Sequence, residues 1–308
     1  MLRPGCRKGQ DHAQCAPIRL QIVSPQCVII INLYIYIIFT GDCRMKQLIA
    51  NIVDGRHILK TMVVKDIKSR YAGSLFGPLW LLITPLYQIL LYTLLFSTIL
   101  RVRFDEGAGT SSFVVYLLAG MIPWIFFSEA TMRGISAFID NAHLIRKVKF
   151  PMEVCILTVV LSSAVTFLIY MVFYLVILIF MGVLKLKTIS LFILPITIQV
   201  LLTLGLSFGL GSLAVFFRDI IQATGMVLNL VFFLTPIVYP ATSIPEKLRG
   251  LFNVNPFYFV VEISRSVLIR GRMPDMVSVL YPSVFALAVF FGGYYVFQKT
   301  KEAFKDIL

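Results

Sequence analysis

Charged side chains are scarce in this sequence. Of its 308 residues, only 14% are Asp, Glu, Lys or Arg, whereas 58% are hydrophobic, and the mean hydropathy is +0.88. An average soluble domain is about 25% charged, and so few charges cannot cover this much apolar surface in water. The same composition excludes an intrinsically disordered chain. The sequence therefore indicates an integral membrane protein with a single domain.

Motifs for catalysis and metal binding are also missing. The three histidines share no motif, and neither H-E-x-x-H nor D-x-D occurs. A stretch ending in Lys60 and Thr61 superficially resembles a phosphate-binding loop, but Leu59 stands where that loop needs glycine. We therefore expect no catalytic residue, no metal site and no cofactor bound by this chain.

Charge inside the apolar stretches is nearly absent as well. The main exception is Glu129, with Arg133 one helical turn further on, an order that favours an ion pair. We expect a structural ion pair, with proton relay through Glu129 as the alternative. Ion-coupled carriers place ionisable groups inside their spans, so the sequence disfavours a carrier driven by protons or sodium. Energy for any transport would then come from a partner.

Long uncharged stretches are what the sequence has instead. A helix of about 20 residues crosses the roughly 30 Å hydrocarbon core of a bilayer. Backbone polar groups in lipid must bond within the protein, which makes these stretches helices. Six membrane spans are predicted, at about residues 79–100, 113–133, 152–183, 188–217, 220–240 and 276–298.

Lysine and arginine are distributed unequally between the two ends of these spans. With six spans both termini share one side, which receives 15 basic residues from Arg44 to Lys305, and the other side receives nine. Basic loops stay in the cytoplasm, so we expect both termini there. We interpret the net charge of +13 as orienting the spans and contacting anionic lipid headgroups rather than nucleic acid.

The first 44 residues differ from the rest of the sequence. They hold four of the five cysteines, and their apolar run at 28–39 is too short to span a membrane. We expect residues 1–44 to be a non-native upstream extension or disordered, with Met45 as the true start; a partial seventh span is the alternative. Residues 46–70 then predict a basic amphipathic helix in the headgroup plane, with ordinary packing on protein as the alternative.

The connection between the second and third spans predicts a short basic helix at 139–150. Asp140 and Asn141 can cap it, and its apolar and basic side chains can enter a groove of a partner protein. A solvated basic loop is the alternative. The candidate partner-contact residues are Ile139, Asp140, Asn141, Leu144, Ile145, Arg146, Lys147, Lys149 and Phe150.

Two further connections are unusual. The fourth and fifth spans are joined by a cytoplasmic turn marked only by Arg218 and Asp219, which predicts a tight hairpin. The last external connection, at 236–258, is broken by prolines. The uncharged stretch at 251–261 is too short to span a membrane and suits a re-entrant or interfacial segment, which needs protein or a water-filled path around its backbone. The candidate residues of this connection are Pro236, Pro240, Pro245, Asn255 and Pro256.

Six short sequences, in order along the chain, together resemble the membrane subunit of ABC exporters of the polysaccharide type, in the type-2 ABC transporter family. They are KDIKSRYAGSLFGPLW at 65–80, GMIPWIFF at 120–127, NAHLIRKVKFP at 141–151, FFRDI at 216–220, LTPIVY at 234–239 and NPF at 255–257. That family exports O-antigen, capsular polysaccharide or teichoic acid from bacteria. The resemblance covers about residues 45–308. It implies that these residues form a single transmembrane permease domain.

The resemblance implies an all-α integral membrane fold of six transmembrane helices. An N-terminal amphipathic interface helix precedes them, and a re-entrant external gate segment at 236–258 lies between helices five and six. The permease would form a homodimer in the bacterial inner membrane and bind two copies of a separate ABC ATPase. That ATPase would hold ATP and magnesium, perform the hydrolysis, and receive the interface helix and the coupling helix at 139–150.

The cargo that the resemblance implies is a lipid-linked glycan. Sugar rings stack on aromatic faces, although lipid contact and packing account for most aromatic side chains in a membrane protein. A permease for a drug or small lipid is the alternative, and a membrane-embedded glycosyltransferase is disfavoured because no D-x-D occurs. The aromatic residues expected along the path are Tyr87, Tyr92, Trp124, Phe127 and Tyr239.

Overall fold

The computed structural model describes residues 55–70, 72–99, 112–147, 150–184 and 186–308. Every regular element in these ranges is a helix, which confirms the all-α class for this part of the protein. The predicted extension at 1–44, the start at Met45, the beginning of the predicted interface helix at 46–54, and Lys149 lie outside the described residues.

Eleven α-helices form the described part of the protein, with short 3₁₀ and π turns between them. The helices are α1 Arg56–Ser69, α2 Trp80–Tyr92, α3 Phe113–Asp140, α4 Ala142–Lys147, α5 Glu153–Phe180, α6 Ile193–Phe216, α7 Asp219–Phe233, α8 Arg249–Val254, α9 Pro256–Arg265, α10 Met276–Thr300 and α11 Phe304–Ile307. A π-helical turn, Thr93–Ile99, continues α2; a 3₁₀ turn, Leu186–Phe192, leads into α6; and a π-helical turn, Ser266–Arg270, continues α9.

Four helices in the described residues are long and apolar enough to cross a membrane. They are α3, α5, α6 with its preceding turn from Ile189, and α10 extended to Ala303, each 28 residues long. At 1.5 Å per residue, each is about 42 Å long. The predicted first and fifth spans correspond to shorter apolar helices, Ile83–Phe96 and Asp219–Phe233.

The fifth predicted span stops earlier than the expected residue 240. Its helix ends at Phe233, and residues 234–239 form a turn that is mostly buried. Pro236 lacks a backbone N–H and disfavours helical geometry at the residue before it. The apolar composition of residues 234–239 predicts burial but cannot distinguish a helix from a turn packed inside the protein.

Helices α3 and α6 form the centre of the bundle. Most of α3 is buried, and it packs on α5 and α6, while α6 also packs closely on α10. Small residues allow the approach: a Cβ atom built on Gly293 of α10 would lie 2.0 Å from the carbonyl oxygen of Gly205 of α6. A Cβ atom on Gly134 of α3 would lie 2.1 Å from the hydroxyl of Ser207. Such small-residue contacts are typical of helix packing in membranes.

The two ends of the bundle carry different connections. Phe304 of α11 lies 5.1 Å from Phe138 near the end of α3 and 6.2 Å from Phe216 at the end of α6, measured between ring centroids. The α3–α4 junction, the α6–α7 turn and the carboxyl-terminal helix α11 therefore share one end. The turn at 234–239 and α9 contact Tyr116, near the start of α3, and lie at the other end.

The predicted short helix at 139–150 is divided in the structure. Ile139 and Asp140 complete α3, α4 covers Ala142–Lys147, and Phe150 follows it. The expected capping also differs. The Asn141 side chain donates to the carbonyl of Ala137 at 2.8 Å, so it closes the end of α3 instead of capping α4. Asp140 accepts a hydrogen bond from Ser136, one turn earlier in α3.

Candidate functional site

An open groove of about 400 Å³ lies between α2, α3 and α7. One part of its lining is aromatic and another is polar and charged, so a single molecule in the groove would contact both kinds of surface. The lining residues are Gln88, Tyr92, Met121, Trp124, Ile125, Ser128, Glu129, Met132, Arg133, Asn229 and Phe232.

The aromatic wall of the groove is anchored by Trp124. Its ring centroid lies 5.5 Å from that of Phe232 of α7, 5.9 Å from that of Phe127 and 5.3 Å from that of Phe257 of α9. Tyr92 of α2 reaches the same Phe232 at 6.2 Å. Aromatic pairs at these distances each contribute about 0.5–1.5 kcal/mol beyond the area they bury, so the wall is a packed surface that joins four helices.

The charged end of the groove belongs to a network formed by Asp66, Arg70, Glu129 and Arg133, which we call the charge network. Arg70, at the end of α1, donates to Glu129 of α3 at 2.6 Å. Arg133 of α3 donates to both carboxylate oxygens of Asp66 of α1, at 2.6 and 2.8 Å. These two reciprocal pairs fix α1 against α3.

Hydroxyl groups of α5 complete the charge network. Arg70 donates to the side chains of Ser162 at 2.9 Å and Ser163 at 3.1 Å, and Ser163 donates to Glu129 at 3.3 Å. The ion pair predicted between Glu129 and Arg133 is confirmed, with an N–O distance of 3.7 Å, but Arg70 is the closer partner. Because Arg70 and Glu129 are 59 residues apart, no local spacing in the sequence could reveal their contact.

The aromatic residues predicted along the path occupy different places. Tyr92 and Trp124 line the groove. Phe127 is buried behind Trp124 and stacks on Phe257 at 4.6 Å between centroids. Tyr87 is 62% exposed and lies outside the groove lining, and Tyr239 lies in the turn after α7. The structure therefore brings two of the five together, and contact of any of them with cargo stays a prediction.

The predicted gate residues gather around α9 and the turn before it. Asn255 caps α9 by accepting a hydrogen bond from the Phe257 N–H at 3.0 Å, and Pro256 takes the first helical position, where its missing N–H costs nothing. Pro236 is buried in the turn. Pro240 and Pro245 precede two short 3₁₀ turns, at Ala241–Ser243 and Glu246–Leu248.

The sequence did not reveal the burial of Arg265. The count of basic residues placed it among the nine on the side opposite the termini. The structure buries it completely, at the end of α9. Its guanidinium donates to the carbonyls of Pro236 at 2.6 Å and Ile237 at 3.0 Å and to the hydroxyl of Tyr116 at 2.8 Å. The available signal was its position within the mostly apolar stretch 257–269.

The predicted partner-contact residues are partly exposed at the opposite end of the bundle. Arg146 is exposed, Asp140 lies at the surface at the end of α3, Leu144 is half-buried, and Ile145 is buried in the core. Arg218 and Asp219 are exposed at the tight turn between α6 and α7, as the sequence predicts. The small α4 helix is thus attached through its apolar side and presents a polar side outward.

Comparison with known proteins gives matches over most of the sequence. The profile of the family described as ABC-2 type transporter matches residues 57–269. The O-antigen export system permease protein RfbA of Myxococcus xanthus is 28% identical over 264 residues, covering 85% of this chain and 99% of that protein.

Two further relatives match over a similar share of the chain. The O-antigen export system permease protein RfbA of Klebsiella pneumoniae is 30% identical over 256 residues, covering 82% of this chain and 95% of that protein. The polysialic acid transport protein KpsM of Escherichia coli is 24% identical over 247 residues, 80% of this chain and 94% of its own. With its several apolar helices, the chain is therefore a multi-pass membrane protein that belongs to the ABC-2 type transporter family.

Proposed function

We propose that this chain is the permease subunit of an ATP-driven exporter that moves a lipid-linked polysaccharide across the inner membrane of a bacterium. The observation that carries the proposal is the extent of its likeness to permeases named for O-antigen export and polysialic acid transport. The alignments cover 94% to 99% of those relatives. The similarity is therefore to whole subunits rather than to a shared fragment.

The membrane arrangement proposed has six spans with both termini in the cytoplasm. Helices α3, α5, α6 and α10 supply four spans, α2 with the π-helical turn that follows it supplies the first, and the shorter α7 supplies the fifth. Support for one common end comes from Phe304, whose ring contacts those at the ends of α3 and α6. The turn at 234–239 and α9 then form the external gate region.

The groove between α2, α3 and α7 is proposed to contact the glycan. Tyr92, whose ring is half-buried, offers a flat apolar face on which a sugar ring can stack, and the almost fully buried Trp124 supports the aromatic wall around it. The polar side chains of the groove, including Gln88, Ser128 and Asn229, can exchange hydrogen bonds with sugar hydroxyls. A homodimer would place two such grooves along one path.

Energy is proposed to come from two copies of a separate ABC ATPase, which would bind the ATP and magnesium. The sequence contains no phosphate-binding loop, and α4 presents Arg146 outward, next to the end of α3. A partner pressing on α4 would move α3 directly, because Asn141 joins the two helices. In this proposal α1 and α4 form the ATPase-binding surface.

The alternative function is export of a drug or small lipid by the same kind of permease. The two functions differ in what accumulates when the gene is removed. We expect a knockout strain to retain a lipid-linked polymer on the cytoplasmic side, detected by extraction and sugar analysis, and to regain surface polysaccharide when the gene is restored. A knockout with normal surface polysaccharide and raised drug sensitivity would favour the alternative.

Replacement of Tyr92 by alanine is expected to slow glycan export about tenfold while the protein still assembles, because loss of a stacking contact worth about 1.4 kcal/mol at the barrier lowers a rate tenfold. Tyr92 lines the groove and contacts Phe232, so the variant removes one stacking face. Tyr87→Ala is the matched control, because Tyr87 lies on the same helix but outside the groove lining. Export is measured as surface polysaccharide per permease; equal effects of the two variants would remove Tyr92 from the path.

Charge reversal at Arg146, Lys147 and Lys149 is expected to abolish ATP-driven export while the permease stays in the membrane. Opposite charge at α4 would oppose docking of a complementary ATPase surface. The control reverses Lys247, Arg249 and Arg272, which are exposed at the other end of the bundle. Co-purification of the ATPase is the direct measurement, and unchanged co-purification with normal export would reject the docking surface.

A further inference from the structure

The turn at 234–239 is held by α9 from one side through Asn255. The amide nitrogen of Asn255 donates to the hydroxyl of Thr235 at 2.8 Å and to the carbonyl of Leu234 at 3.3 Å. The amide oxygen of the same residue accepts from Phe257 and so caps α9. Asn255 therefore fixes both the start of α9 and the start of the turn.

The other end of α9 holds the same turn through Arg265. Its guanidinium donates to the carbonyl oxygens of Pro236 and Ile237, at 2.6 and 3.0 Å. The carbonyls of residues 234, 236 and 237 thus all accept hydrogen bonds from Asn255 and Arg265, at the two ends of α9. These hydrogen bonds hold the turn at 234–239 against α9 at both ends of the helix.

Arg265 also joins the turn to α3. One guanidinium nitrogen donates to the Tyr116 hydroxyl at 2.8 Å, and the guanidinium carbon lies 3.6 Å from the centre of the Tyr116 ring. Gly120, one turn further along α3, leaves the necessary space, because a Cβ atom there would lie 3.0 Å from the guanidinium. The planar fork of donors in arginine can satisfy several fixed acceptors at once, which lysine cannot.

The charge of Arg265 has no carboxylate ion-pair partner in the described part of the protein. The nearby Glu262 forms its ion pair with Arg270 instead. Burying a cation against neutral acceptors alone is expensive, so the contacts with the turn and α3 are what hold it there. The protein retains a costly group at the place where α3, the turn and α9 meet.

We propose that Asn255 and Arg265 make α9 a clamp, which holds the turn at 234–239 against α3 and keeps the external end of the transport path closed. This inference rests on the proposed function. Arg265 acts here as a positioning residue: it touches no cargo, and its role is to fix three backbone segments in the closed arrangement. Opening the path then requires the clamp to release the turn or to move together with it.

The test uses liposomes that contain the permease with its ATPase and a trapped small fluorescent anion, without ATP. We expect Arg265→Gln to release the dye at least about tenfold faster than the unaltered complex, because glutamine cannot bond the turn and Tyr116 together. Arg265→Lys and Asn255→Ala should give smaller increases. Arg272→Gln is the matched control, an exposed arginine of the same outer region, and should leave the vesicles tight.

Dye release separates a clamp from a merely structural role. A folding defect lowers the amount of assembled permease but does not make the assembled fraction leak. Equal tightness of Arg265→Gln and unaltered vesicles would overturn the clamp. If Arg265→Gln fails to assemble, Arg265→Lys and Tyr116→Phe decide in the same assay, and tight vesicles with both would overturn it.

The proposed function is judged separately in the same vesicles by adding ATP and a lipid-linked glycan. Export by the unaltered complex with tight Arg265→Gln vesicles rejects the clamp alone. Leaking Arg265→Gln vesicles with no glycan export by the unaltered complex reject the cargo assignment alone.

Discussion

Replacement of Gly293 by alanine is expected to lower the free energy of unfolding by about 3 kcal/mol, at the upper end of the cost of overpacking. The new Cβ atom would lie 2.0 Å from the carbonyl oxygen of Gly205 and 3.1 Å from the amide nitrogen of Gly209. These are backbone atoms of α6, so no side-chain rotation can relieve the overlap. Helices α6 and α10 would have to separate along their shared contact.

The neighbouring residue provides the control for this variant. A Cβ atom on Gly292 meets no atom within 4 Å, so Gly292→Ala should be neutral or slightly stabilising, since alanine favours helix over glycine by about 1 kcal/mol. The measurement is thermal unfolding of the purified protein in detergent, followed by size-exclusion chromatography. Equal melting temperatures for the two variants would show that α6 and α10 do not cross at Gly205 and Gly293.

Replacement of Glu129 by alanine is expected to cost about 2 kcal/mol of stability and to loosen α1 from the bundle. Glu129 pairs with Arg70 at 2.6 Å and with Arg133 at 3.7 Å, and its loss leaves two arginines to share Asp66. Breaking a fully buried pair costs about 3–5 kcal/mol. The carboxylate of Glu129 is 31% exposed, so screening reduces that cost.

The exposed ion pair between Glu246 and Arg249 is the matched control. Glu246 and Arg249 lie 3.9 Å apart, and the Glu246 side chain is 89% exposed, so Glu246→Ala should change stability by no more than about 0.5 kcal/mol. Loosening of α1 is followed by limited proteolysis after Lys60 or Lys65. Protection of these sites in Glu129→Ala equal to that in the unaltered protein would contradict the role assigned to the charge network.

Hydropathy and charge determine the class of this protein and the approximate places of its helices. Four predicted spans correspond to helices α3, α5, α6 and α10, because long apolar stretches have few alternatives in a membrane. The six ordered short sequences sufficed to recognise the family, which the profile match confirms. Helix boundaries were predicted less accurately. Helix α3 continues to Asp140 and so includes Ile139 and Asp140, which were expected in the next helix.

Only the tertiary structure decided which side chains meet. Tyr116 and Arg265 are 149 residues apart in the sequence, and the mostly apolar stretch around Arg265 does not indicate which residues its guanidinium contacts. The groove likewise depends on the rotation of α2, α3 and α7 about their axes.

Helices such as α5 and α10 carry apolar residues on all their faces. The sequence therefore specifies that they enter the membrane, but packing decides which face of each helix contacts its neighbours. Close backbone contact at glycines and the bonding of buried polar groups settle that choice, because each is satisfied by one mutual arrangement of the helices.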